Sequence, residues 1–166
     1  MWHVSRVYLT NTLLATDGSE QSEAMLNEIV RRPFPANSEL RIISVVDAPM
    51  PLAEKSLATS SGYHGELEKI ELKRARTSVK DAALRLRKNA EGRSLSVTTE
   101  VFSGSPKRVI LEEAEKFGAD LIIVGSHGHG MLERFLLGSV SQTVALHAKC
   151  SVEIVRTAQT KVGESK

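Results

Sequence analysis

The chain has 166 residues, 41% of them apolar and 25% charged, with a net charge of +2. That length suits one domain spanning residues 1–166, and the apolar share suits a globular core. The small, scattered charge offers no basic stripe for nucleic acid, and no run approaches the eighteen or more apolar residues of a membrane span.

The residue pattern alternates between strand and helix. The run from Thr12 to Thr16 is short and apolar. After Gly18, Met25, Leu26, Ile29 and Val30 recur at helical spacing and stop before Pro33. Leu40 to Val46 is continuous and β-branched, as a strand covered on both faces requires. Asp47 to Gly65 carries prolines and no period, and reads as a flexible loop over 47–65.

From Glu66 to Ala90, the positions Leu67, Ile70, Val79, Ala82, Leu86 and Ala90 predict one buried face of a long helix. Ser94 to Phe102 alternates and is rich in Val and Thr, a strand signal. Ser105-Pro106 predicts a helix start, with the hydroxyl as cap and the proline where a missing N–H is harmless. Ile110, Ala114 and Phe117 form that helix's apolar stripe, and Gly118 stops it. Asp120 to Gly125 is a further buried strand.

Ser139, followed three residues on by Gln142, has the capping-box pattern for a helix burying Val140, Val144 and Ala148. Ser151 to Arg156 is the last strand, and residues 157–166 read as a frayed tail. The order β-α-β-α-β-α-β-α-β predicts an α/β fold, a three-layer, doubly wound parallel sheet with helices on both faces. In such sheets ligands bind beyond the strand carboxyl ends, where strand order reverses. If the strand order is 3-2-1-4-5, then Asp17, the Val45-Val46-Asp47 edge and Gly125 onward all line one crevice.

The segment GSHGHGMLERFLLGSVS, Gly125 to Ser141, carries the chemistry. Gly125 and Gly128 permit unusual dihedrals, so successive N–H groups can converge. Gly138-Ser139 opens a helix whose free N–H groups at Ser139, Val140 and Ser141, with two hydroxyls, suit an anion. A helix N-terminus contributes only ~0.3 to 2 kcal/mol toward an anion, whereas micromolar binding needs about 8 kcal/mol. A nucleotide, adding charge-assisted hydrogen bonds and a buried base, closes that gap; free phosphate does not.

The competing readings are structural. Asp17 is either a ligand contact or Mg²⁺ ligand, or the turn residue of an Asp-Gly pair. Val45 would act through its backbone or serve only the core. His127 and His129 form an H-x-H pair without a third ligand nearby, so no metal site is expected there. His147 and Cys150 read as packing or capping residues. The lone Cys150 makes no internal disulfide and the first residues lack a leader pattern, which predicts a cytoplasmic protein.

The chain resembles the universal stress protein family, from LLATDGSE (Leu13 to Glu20) through ISVVDAP (Ile43 to Pro49) to the glycine segment and HAKCSVEIVR (His147 to Arg156). The G-x2-G-x9-G-S spacing, here Gly125, Gly128, Gly138 and Ser139, is similar to the mark of its ATP-binding branch. The resemblance implies a five-stranded sheet in the order 3-2-1-4-5 and ATP in the crevice. It implies Thr16, Asp17 and Val45 near the adenosine, Gly125, His127 and Gly128 beneath ribose and phosphates, and Ser139, Val140 and Ser141 on the phosphate tail. It also implies a stress-response regulator and a homodimer through the last strand, while the scattered charge and short apolar runs predict no nucleic-acid and no membrane partner.

Two positions depart from the family's pattern. Ser151 stands where relatives often have proline, with Glu153 on the same strand, and His129 stands where many have arginine, with Arg134 nearby. No catalytic residue is expected, because G-x-x-x-x-G-K-[ST] is absent and no general base is evident beside the glycines. The alternatives are a slow ATPase or phosphotransferase, or an interaction module of the same fold carrying another ligand.

Overall fold

The computed structural model describes residues 11–47, 61–89, 95–126 and 137–156. Its elements run β1 (Asn11–Ala15), α1 (Glu20–Ile29), β2 (Ser38–Val46), α2 (Ser61–Asn89), β3 (Leu95–Ser103), α3 (Pro106–Phe117), β4 (Leu121–Gly125), α4 (Ser139–His147) and β5 (Ser151–Val155). All neighbouring strands are parallel, in the order β3-β2-β1-β4-β5. The reversal therefore falls between β1 and β4, the order that the family resemblance implies.

The apolar pairs within the strands explain the three layers. Successive side chains of a strand point to opposite faces. Leu14, Ile42 and Ile123 accordingly join Met25, Leu26 and Ile29 of α1 and Val79, Ala82 and Leu86 of α2 in one core. Their neighbours Leu13, Ile43 and Ile122 join Ile110 and Ala114 of α3 and Val144 of α4 in the other. Burying a side chain of this size contributes ~1.5 to 3 kcal/mol.

Helix boundaries are set by backbone chemistry more than by the apolar stripe. Ser19 caps α1 through its side chain, which accepts from the Ser22 N–H. Helix α3 starts with Pro106 and stops at Gly118 in the left-handed conformation (φ 64°). The predicted hydroxyl cap at Ser105 is not formed; its carbonyl takes the Arg108 and Val109 N–H groups instead.

Helix α2 begins at Ser61, earlier than the apolar period shows, so residues 61–65 of the predicted loop are helical. A helix needs only its own backbone bonds to extend past its buried stripe. For the same reason Leu67 and Ile70 are not core residues: they are 52% and 48% exposed, on a stretch of α2 beyond its Ala75–Leu86 contact with the sheet. The rest of the predicted loop described here is Asp47 alone. Residues 48–60, Ala90 and the predicted tail 157–166 lie outside the described residues, as do His127, Gly128, His129 and Arg134.

Candidate functional site

A cavity of about 640 Å³ opens at the carboxyl ends of the strands. Thr16, Asp17, Val45, Gly125, Gly138, Ser139, Val140 and Ser141, every sequence-predicted site residue that is described, line it. The volume lies in the range of small-molecule sites, roughly 300 to 1,000 Å³. The sheet topology brings these residues together, because β1, β2 and β4 end side by side there.

The β1–α1 turn is built around the Asp17 carboxylate. One oxygen accepts from the Ser19 N–H at 3.0 Å, the Ser19 hydroxyl at 2.7 Å and the Ser22 hydroxyl. Gly18 follows at φ 74°, a conformation that L side chains rarely adopt. A Cβ there would also stand 3.3 Å from the Ser78 Oγ. The turn role of Asp17 is thus realised, while its exposed position in the cavity wall leaves it facing any occupant.

The opposite wall is the start of α4. Gly138, not Ser139, is the N-cap, and its carbonyl accepts the Gln142 N–H. The capping box is not formed: Ser139 has moved inside the first turn, where its hydroxyl makes no cap bond. The Gly138 N–H donates to the Ser126 carbonyl at 2.8 Å, which draws the two ends of the glycine segment together but takes that amide from any ligand. The amides of Ser139, Val140 and Ser141, being in the first helical turn, have no carbonyl one turn back to bond.

Ser141 is buried, and its hydroxyl donates to the Gly125 carbonyl. That bond fixes the β4 end against α4, so the side chain positions the wall and its amide remains the candidate donor. Ser126 ties the same corner to β5 by its N–H to the Val155 carbonyl at 2.9 Å.

Sequence reasoning missed the third wall. Glu71, Arg74, Ala75 and Ser78 of α2 line the cavity at i, i+3, i+4 and i+7, one helical face. Alternating charges along α2 read as a solvated surface, and only the fold shows that one strip overhangs the strand ends. The Arg74 guanidinium sits 3.0 Å from the Glu71 carboxylate, with side chains 74% and 53% exposed. Such an exposed pair contributes only a few tenths of a kcal/mol, about 0.2 to 0.5. Ser22, Pro106 and Ile110 also line the cavity unforeseen. Among the described residues no cluster of three metal-ligating side chains occurs.

The charged residues elsewhere serve the scaffold. Glu153 on β5 is held by Arg32 just past α1, at 2.7 Å, which raises the Arg32 pKa. Burial, helped by Asp120, pushes the Cys150 thiol up. No helix among the described residues is long and apolar enough to cross a membrane.

Fold and cavity together define a doubly wound α/β domain with a cavity at the topological switch point. The model of the universal stress protein family matches residues 9–156, so the chain belongs to that family. It is similar to a Staphylococcus haemolyticus protein named for the same family, 31% identical over 150 residues and covering 89% of this chain and 84% of the relative. Among solved structures it resembles the universal stress protein UspA from Lactobacillus plantarum (25% identity, TM-score 0.73, covering 89% of this chain and 98% of the other). It also shares the fold of a universal stress protein crystallised in complex with cAMP (22% identity, TM-score 0.61, covering 91% and 99%).

Proposed function

We propose that this universal stress protein binds an adenine nucleotide, ATP, in the cavity at the strand carboxyl ends and acts as a stress-response regulator through conformation or partners. The observation that carries the reading is the convergence of Thr16, Asp17, Val45, Gly125 and the amides opening α4 on one cavity of about 640 Å³. Those α4 amides suit a phosphoryl chain, and the β2 edge at Val45 offers the backbone and apolar surface that a flat base needs. The cAMP held by a protein of the same fold is in keeping with it. His127 and Gly128, in the G-x2-G-x9-G-S spacing, belong to the same proposed site.

The protein's role in this reading is binding without turnover. Among the described residues the cavity wall offers no lysine, and the Asp17 carboxylate already accepts three hydrogen bonds from the turn it holds. Asp17 and Asp47 are the wall carboxylates nearest in kind to what a Mg²⁺ ion accompanying the phosphates would use. Homodimerisation through β5 completes the proposal. That strand pairs only with β4 among the described residues, and Arg32 neutralises the charge that Glu153 brings to it.

Calorimetric titration with ATP, ADP and AMP tests the site. One nucleotide per chain, with micromolar affinity for ATP, is expected. No heat and no rise in melting temperature at millimolar nucleotide would exclude it.

A further inference from the structure

We infer that Arg74, on the α2 wall of the cavity, is a phosphate-binding residue of the nucleotide site, held on Glu71 until the ligand arrives. The inference rests on the nucleotide reading given above and names a cation that neither the glycine motif nor the α4 amides supply.

Three observations carry it. The first is charge: among the described residues lining the cavity, Asp17, Asp47 and Glu71 are acidic and Arg74 alone is basic. Among these charged side chains that guanidinium is the one that attracts an anionic ligand. The second is the weakness of the present partnership. Arg74 and Glu71 are neighbours on one helix at 3.0 Å, both more than half exposed, so little is lost when the long, flexible arginine leaves. Its planar fork of donors matches phosphate oxygens, and a charge-assisted bond to a phosphoryl group outweighs an exposed pair.

The third observation is independent of charge. Ser78 lies one turn further along the same face, and its Oγ is buried with no hydrogen-bond partner among the described residues. Buried hydroxyls in proteins are nearly always paired. A serine within a helix commonly bonds the carbonyl four residues back; this one does not, and stands beside Gly18 at the cavity wall. The face shared by Arg74 and Ser78 therefore joins a weakly held guanidinium to a hydroxyl with no partner among the described residues.

The test compares ATP, ADP, AMP and adenosine on the full chain and on Arg74→Gln and Glu71→Gln. Arg74→Gln should weaken ATP about tenfold, ADP and AMP by less, and adenosine by under about twofold. Glu71→Gln, which frees the guanidinium and removes a negative charge, should tighten ATP by about two- to threefold. Both side chains are exposed, so melting temperatures should stay within about 2 °C of the parent. Unchanged ATP affinity in Arg74→Gln, or an equal loss for adenosine, would overturn the inference while the site reading stands. A parent chain that binds no nucleotide would overturn both.

Discussion

The two ends of the sheet differ in how much of their polar capacity the protein itself uses. At the amino end, polar groups close on one another. The Asn11 N–H donates to the Asp120 carboxylate at 3.0 Å, and the Asp120 N–H returns to the Asn11 carbonyl at 2.8 Å. The Asn11 amide reaches the Gly118 carbonyl, and the Ser151 N–H bonds the Asp120 carbonyl. At the carboxyl end, the same backbone opens around a cavity lined by the first residues of α4, with Ser78 unpartnered among the described residues and Arg74 loosely held. The contrast separates groups that stabilise the fold from groups left for a ligand, since an unmade buried hydrogen bond costs more than a made one contributes.

Substitutions at the two ends should therefore divide stability from binding. The largest effect is expected from Asp120→Ala, which strands the Asn11 N–H and should cost about 1 to 3 kcal/mol in urea unfolding. Its ATP affinity should stay within about twofold of the parent; a large loss of binding would break the separation of the two ends. Gly118→Ala comes next: at φ 64° with open space around it, the added Cβ meets only backbone strain, so about 1 kcal/mol of stability should go.

At the carboxyl end the sign reverses. Ser78→Ala removes a buried hydroxyl with no partner among the described residues, so the ligand-free protein should be unchanged or stabilised by up to about 1 kcal/mol, as thermal unfolding would read. Clear destabilisation would mean that the hydroxyl has a partner in solution. The smallest effect concerns Cys150, beside the amino end. With its thiol pKa raised by burial, it stays protonated at neutral pH and gains thiolate only as the pH climbs beyond the ordinary cysteine range. Alkylation by iodoacetamide at pH 8 should run well below the rate of free cysteine and accelerate on unfolding.

The fold was legible from sequence because parallel strands buried on both faces are written as unbroken apolar runs, such as Leu40 to Val46, and because Gly118 and Pro106 punctuate the helices. The part of the site on strand ends followed directly from that topology. Three things were hidden. Gly138, tied by its N–H to the Ser126 carbonyl, caps α4 in place of Ser139, and a Ser-Gln spacing cannot reveal that long-range bond. Leu67 and Ile70 continue the α2 period into a stretch of helix where apolar side chains stay about half exposed. Arg74 and Ser78 are ordinary polar residues of a charged helix until the crossover sets their face over the crevice.

The most direct test of the account is an amide NMR titration of the full chain with ATP. Saturable shifts should concentrate at Thr16–Gly18, Val45–Asp47, Arg74 and Ser139–Ser141, with Asn11, Gly118, Asp120 and Ser151 nearly still. Shifts gathered at the amino end instead, or none at millimolar ATP, would contradict it.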